Sequence, residues 1–122
     1  MRIMGLLKAD KDSEAGVPPS PELMQKMGKF IEEVMKAGVL RATDGLQPSS
    51  KGKRVRLSKG KITVIDGPFT ESKELVASYA LFEVKSMAEA IEWTKRFLDV
   101  LGEGECELRP LFEMSDFPDA TC

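Results

Sequence analysis

Histidine is absent from this 122-residue chain. That removes the general base that titrates nearest neutrality and the commonest transition-metal ligand. Cysteine is scarce: Cys106 and Cys122 form neither a disulfide framework nor a metal-knuckle spacing, and both read as free thiols. No apolar run approaches the ~20 residues of a membrane span, and Met1–Lys8 lacks the apolar core and small-residue cleavage site of a signal peptide. The expected location is therefore the cytoplasm, with no membrane partner. There is no excess of positive charge, since 18 Lys and Arg face 20 Asp and Glu for a net charge of −2. No basic field gathers phosphate backbones, so nucleic acid is excluded as the main partner. Chemistry is left to carboxylates, tyrosine, lysine, arginine, cysteine and hydroxyls, and neither a cofactor nor a metal is expected.

What is present is globular. Apolar residues make up 42% and charged residues 31% of a length suited to one core. The expectation is one domain over residues 1–114 with a loose tail over 115–122. Ile3–Leu7 reads as a buried strand, followed by a polar loop over Asp10–Gly16. Ser20 and Pro21 open a helix that Gly38 stops, with Leu23, Met27, Phe30, Ile31 and Val34 as its inner stripe. Val39–Leu46 is a second strand. Arg54–Ser58 and Lys61–Ile65 pair as a hairpin across Lys59-Gly60. Leu75–Val84 is the longest strand. Ser86-Met87-Ala88-Glu89 has the form of a capping box opening a second helix, whose inner face is Met87, Ala90, Ile91, Thr94, Phe97 or Leu98, and Leu101, and which ends at Gly102. Cys106–Met114 is the last strand, with Cys106, Leu108, Pro110 and Phe112 on one side. The order strand, helix, strands, helix, strand is that of an α+β, ferredoxin-like split βαβ with an antiparallel sheet.

Two helices cover one face of such a sheet, and the other should then be polar in a monomer. In the longest strand Leu75, Ala77, Tyr79 and Leu81 alternate with Val76, Ala80, Phe82 and Val84, so both faces are apolar. Leaving large side chains wet forgoes roughly 1.5–3 kcal/mol each, and exposed apolar patches mark interfaces. A homodimer packed sheet to sheet around a ligand pocket is expected. The alternative is a monomer whose N-terminal loop folds over the sheet.

The distinctive stretch is Ile65-Asp66-Gly67-Pro68-Phe69-Thr70-Glu71-Ser72-Lys73-Glu74-Leu75. Asp66 closes its strand on the face of Ile62 and Val64, which makes it a candidate acid/base; the structural reading is a turn cap before Gly-Pro. Tyr79 is the second catalytic candidate, because a buried phenol needs a polar partner. Phe69 reads first as a core plug and second as a stacking platform. Arg54, Arg56 and Arg109 suit an anionic ligand or a sheet surface. Glu71, Lys73 and Glu74 fit a solvated turn, and a metal site on Asp66, Glu71 and Glu74 is read as chance clustering.

Asp66-Gly67-Pro68-Phe69 with Glu71, Lys73, Glu74 and Tyr79 resembles the hallmark of the DGPF-motif branch of the YCII-related family. Gly45-Leu46-Gln47-Pro48, Glu89-Ala90-Ile91-Glu92-Trp93 and Glu107-Leu108-Arg109-Pro110 are similar to the family's pattern in the same order, over nearly the whole chain. The resemblance implies a dimeric α+β barrel but no single activity. Some relatives resemble small degradative enzymes acting on lactones or chlorinated ring products, and others accompany alternative sigma factors. The His–Asp pair proposed in part of the family has no counterpart here, which leaves Asp66 alone. Ala77-Ser78 stands where many members carry paired glycines.

Three functions follow as expectations. The first is a small-molecule-binding domain, an isomerase- or lyase-like enzyme with Asp66 as acid/base, Tyr79 orienting substrate, and Phe69, Arg54 and Arg109 contacting ligand. The second is a non-enzymatic partner or regulator with Lys51, Lys53, Arg54 and Arg56 as its contact surface. The third is a structural dimer with a filled interior.

Overall fold

A computed structural model describes residues 1–71 and 74–117. Its elements are β1 (Arg2–Lys8), α1 (Lys11–Glu14), α2 (Pro21–Lys36), β2 (Leu40–Gly45), β3 (Lys53–Ser58), β4 (Lys61–Asp66), β5 (Val76–Glu83), α3 (Met87–Leu101) and β6 (Cys106–Pro110). Lys73, Cys122 and most of the expected tail lie outside the described residues.

β2, β5, β1 and β6 form one sheet in that order, with every neighbouring pair antiparallel. This is the ferredoxin-like order, with a hairpin inserted between its second and third strands. Alternation along β1 and β5 sorts the side chains. Ile3 and Phe82 turn inward with Val34, Leu40, Val84 and Ala90 to make the core. α2 and α3 close over it, with Phe30 against Trp93 and Phe97 at centroid distances of 6.5 and 6.4 Å.

The helices start where their sequence dictates. Ser20 Oγ accepts from the Leu23 amide at 3.1 Å and Ser86 Oγ from the Glu89 amide at 3.2 Å, each satisfying one of the donors a helix start leaves open. At Ser86 the reciprocal bond from Glu89 is not made, so only half of the expected capping box forms. Gly38 (φ +75°) and Gly102 (φ +98°) take the backbone out of the two long helices.

Three expectations need correction. The loop after β1 contains a one-turn helix, because Asp10 and Ser13 cap each other. The last strand ends at Pro110, and Phe112 is exposed rather than inward, packing on Phe117 at 4.9 Å. Ile91 is also exposed, and Trp93 takes a place at the core instead.

β3 and β4 pair as expected through a two-residue turn, with Ser58 opposite Lys61, and Lys59 (φ 51°) and Gly60 (φ 77°) both left-handed. Yet they form a separate two-stranded sheet, and every residue from Lys53 to Asp66 is exposed. The hairpin is an arm that stands off the body.

Candidate functional site

The two faces of the main sheet are unequal. Among the described residues, the helices pack on the Ile3 and Phe82 side. On the other side the register places Met4 opposite Leu81 and Arg109, Leu6 opposite Tyr79 and Glu107, and Tyr79 opposite Asp44. Met4, Leu6 and Leu81 therefore make an apolar floor, with polar groups to either side.

On the β2 side the Tyr79 hydroxyl donates to Asp44 Oδ2 at 2.9 Å. The Thr43 hydroxyl donates to the Tyr79 carbonyl at 2.7 Å and ties the two strands behind the pair. Accepting the phenol's proton bond, and lying close to it as a negative charge, Asp44 raises the Tyr79 pKa above its usual 10.0. The phenol is thus held as a donor beside a carboxylate acceptor.

On the β6 side Glu107 gathers Arg109 at 3.1 Å and Lys8 at 3.2 Å. The Arg109 hydrogen bond, then that of Lys8, holds the Glu107 carboxyl below its ordinary value. Arg2 chelates Glu113 through two bonds of 3.2 and 3.1 Å, which likewise lowers the Glu113 pKa. One side of the floor thus holds a neutral donor on an acceptor, and the other holds Arg109 and Lys8 shared by one carboxylate, with one positive charge in excess.

The Asp66–Phe69 turn does different work. Asp66 lies exposed and pairs with Lys53 Nζ at 2.5 Å. The Gly67 amide donates to the Gly52 carbonyl at 3.0 Å, and the Phe69 amide donates to Ser49 Oγ at 3.0 Å. Ser49 in turn donates its amide to Glu14 Oε2 at 2.9 Å and its hydroxyl to Glu14 Oε1. Arg54 sits 3.9 Å above the Phe69 ring and 3.6 Å from Glu71. The turn clamps the root of the arm to the Ser49–Gly52 bend and to α1.

Of the residues expected at a site, Tyr79 and Arg109 share the open face. Asp66, Phe69 and Arg54 gather at the arm's root instead. Asp44 is the residue that sequence reasoning missed. Its signal is non-local: only the β2–β5 register puts it beside Tyr79.

Two hollows compete with the open face. A cavity of about 60 Å³ lies between sheet and helices, lined by Phe30, Val34, Thr94, Cys106 and Leu108 among others. A void of ~150 Å³ is of the size that admits benzene, so this one is too small for a ring. Burial, with Glu105 nearby, pushes the Cys106 thiol up and keeps it protonated, a poor nucleophile. An open groove of about 870 Å³ runs past Asp10, Asp12, Glu103 and Glu105 with Lys8 at its edge. Four carboxylates against one lysine set it against anionic ligands.

The split βαβ order and the four-stranded antiparallel sheet define the chain as a ferredoxin-like α+β protein. It belongs to the YCII-related domain family, whose model matches residues 1–115. An uncharacterised protein of Rhizobium meliloti (strain 1021) is 29% identical over 90 residues, 73% of each chain. Among solved structures, the 5-chloro-2-hydroxyhydroquinone dehydrochlorinase of Burkholderia phenoliruptrix AC1100, in complex with 2,5-dihydroxybenzoquinone, superposes with a TM-score of 0.51. That match covers 95% of this chain and 98% of the other at 10% identity, so it speaks to the fold. No helix among the described residues is long and apolar enough to cross a membrane.

Proposed function

We propose that the protein binds a small cyclic compound on the open face of its main sheet, and that a second copy covers that face to make the chamber. The observation that carries this reading is the Tyr79–Asp44 pair standing beside the floor of Met4, Leu6 and Leu81. Apolar ground with a few converging polar groups is the usual composition of a ligand site. A ring lies flat on the floor, an oxygen of the ring takes the Tyr79 hydroxyl's one hydrogen bond over from Asp44, and the carboxylate so released takes a proton from the adjoining position. Lys8 and Arg109 face any negative charge that develops at the far side.

Such a pair suits proton transfer next to a carbonyl, the step shared by isomerases and by lyases that expel a leaving group. We assign the acid/base role to Asp44 rather than Asp66, since Asp44 touches the phenol and Asp66 is engaged by Lys53. The fold neighbour's hydroxylated quinone supplies the probe. Titration of 15N-labelled protein with 2,5-dihydroxybenzoquinone should shift the amides of Met4, Leu6, Asp44, Tyr79 and Leu81. Tyr79→Phe and Asp44→Asn should each weaken binding at least about tenfold, which is 1.4 kcal/mol. Shifts confined to the carboxylate-lined groove, or binding untouched by both variants, refute the assignment.

A further inference from the structure

The arm made by β3 and β4 is left without a partner among the described residues of the single chain. One of its faces carries Val55, Leu57, Ile62 and Val64, paired Val55 with Val64 and Leu57 with Ile62. These four are 72%, 69%, 65% and 59% exposed. An isolated two-stranded hairpin is marginal in water, and a contiguous aliphatic face of this kind marks a contact surface. The opposite face carries Arg54, Arg56 and Lys61.

Charge decides among the occupants. From Lys53 to Asp66 the arm holds five cations (Lys53, Arg54, Arg56, Lys59, Lys61) and one carboxylate (Asp66), a net +4. The whole chain is −2, so the remainder of the molecule is −6. Two arms laid together would set +4 against +4, whereas the open face of another copy balances Arg2, Lys8 and Arg109 with Glu107, Glu113 and Asp44 on a body that is acidic as a whole. Size agrees. At ~25 cal/mol per Å² and 1.5–3 kcal/mol for each side chain, four aliphatics represent roughly 240–480 Å². Two arms and the surfaces they cover then reach the ~1,000 Å² or more that a specific interface needs. Six residues per strand reach ~20 Å, enough to cross the ~15 Å between the outer strands of a four-stranded sheet.

We infer that each arm reaches across to a second copy and lays its Val55–Leu57–Ile62–Val64 face on the apolar floor beside that copy's Tyr79–Asp44 pair. The arm is then one wall of the chamber, and the site is incomplete in a single chain. This inference rests on the covering of the open face by a second copy proposed above.

The test uses the full chain. Sedimentation equilibrium of wild type and of the double variant Leu57→Gln/Ile62→Gln gives the two self-association constants. Benzoylphenylalanine at position 57, photolysed in a mixture of 14N- and 15N-labelled protein, shows where the arm lies. The inference expects a wild-type dimer, at least about 100-fold weaker association of the double variant with an unchanged circular dichroism spectrum, and cross-links between copies to β1 or β5. If the double variant loses its spectrum, the isosteric pair Val55→Thr/Val64→Thr replaces it under the same criterion. A wild-type dimer whose affinity the arm variants leave unchanged overturns the arm's role while leaving the covered face standing. Cross-links within one copy overturn it as well. A wild-type monomer overturns both readings.

Discussion

Gly67→Ala should be among the most damaging small substitutions in the chain. Gly67 is not held in the left-handed region; what it needs is space. A Cβ at this position would lie 1.8 Å from the Ser49 carbonyl oxygen and 2.7 Å from the carbonyl carbon. Since real Cβ contacts essentially never fall below 3.0 Å, the two backbones must separate by the difference, about 1.2 Å. No side chain can rotate away to relieve this, because both sides of the contact are main chain. Such a movement stretches the Gly67–Gly52 and Phe69–Ser49 bonds from 3.0 Å to about 4 Å, beyond hydrogen-bonding range. Two lost bonds at ~1 kcal/mol each and residual overpacking of ~1–3 kcal/mol oppose a gain of ~0.4–1 kcal/mol from the stiffer unfolded chain. The net expectation is a loss of roughly 2–4 kcal/mol, read from the urea midpoint at unchanged m-value. Gly45→Ala is the control: nothing lies within 4 Å of its Cβ, and it should stay within ~0.5 kcal/mol of wild type. A Gly67→Ala protein as stable as that control would refute the clamp.

Three further outcomes are expected. Tyr79 is the only tyrosine, so absorbance at 295 nm titrates it alone, and its midpoint should lie above 10.0 and fall back in Asp44→Asn. Because folding raises this pKa, the pair's contribution to stability is present below pH 10 and disappears as pH rises through the folded value. Arg2 lowers the Glu113 pKa, which reverses the sign: that contribution is present above the ordinary 4.5 and fades as pH falls through the depressed value. Urea midpoints between pH 7 and pH 3 should drop less steeply for Glu113→Gln than for wild type. Gly28 lies exposed within α2 with nothing within 4 Å of its Cβ, so Gly28→Ala should raise stability by ~0.5–1 kcal/mol in the same assay.

Much of the scaffold is legible in the sequence because its signals are local. Ser20, Ser86, Gly38 and Gly102 mark the helix ends, alternation marks β1 and β5, and Lys59-Gly60 fixes the hairpin register. What is not legible depends on where an element is carried. Alternation gives β3 and β4 an apolar face, but not the fact that this face leaves the body. Asp66 does share that face with Ile62 and Val64, and since the arm stands in solvent the carboxylate stands there too. Asp44 is three positions along β2 from Arg41 and carries no motif; its meaning comes from a partner 35 residues away. The Asp10–Ser13 cap is a local signal, yet one turn is too short for periodicity to announce a helix.

The Met4–Leu6–Leu81 floor is the surface that another copy is proposed to hide. Hydroxyl-radical oxidation of Met4, compared with Met24 on the exposed side of α2 across a dilution series, tests it most directly. Met4 should be shielded at high protein concentration and become reactive on dilution while Met24 reacts equally throughout. Met4 oxidation that does not change with concentration would contradict it.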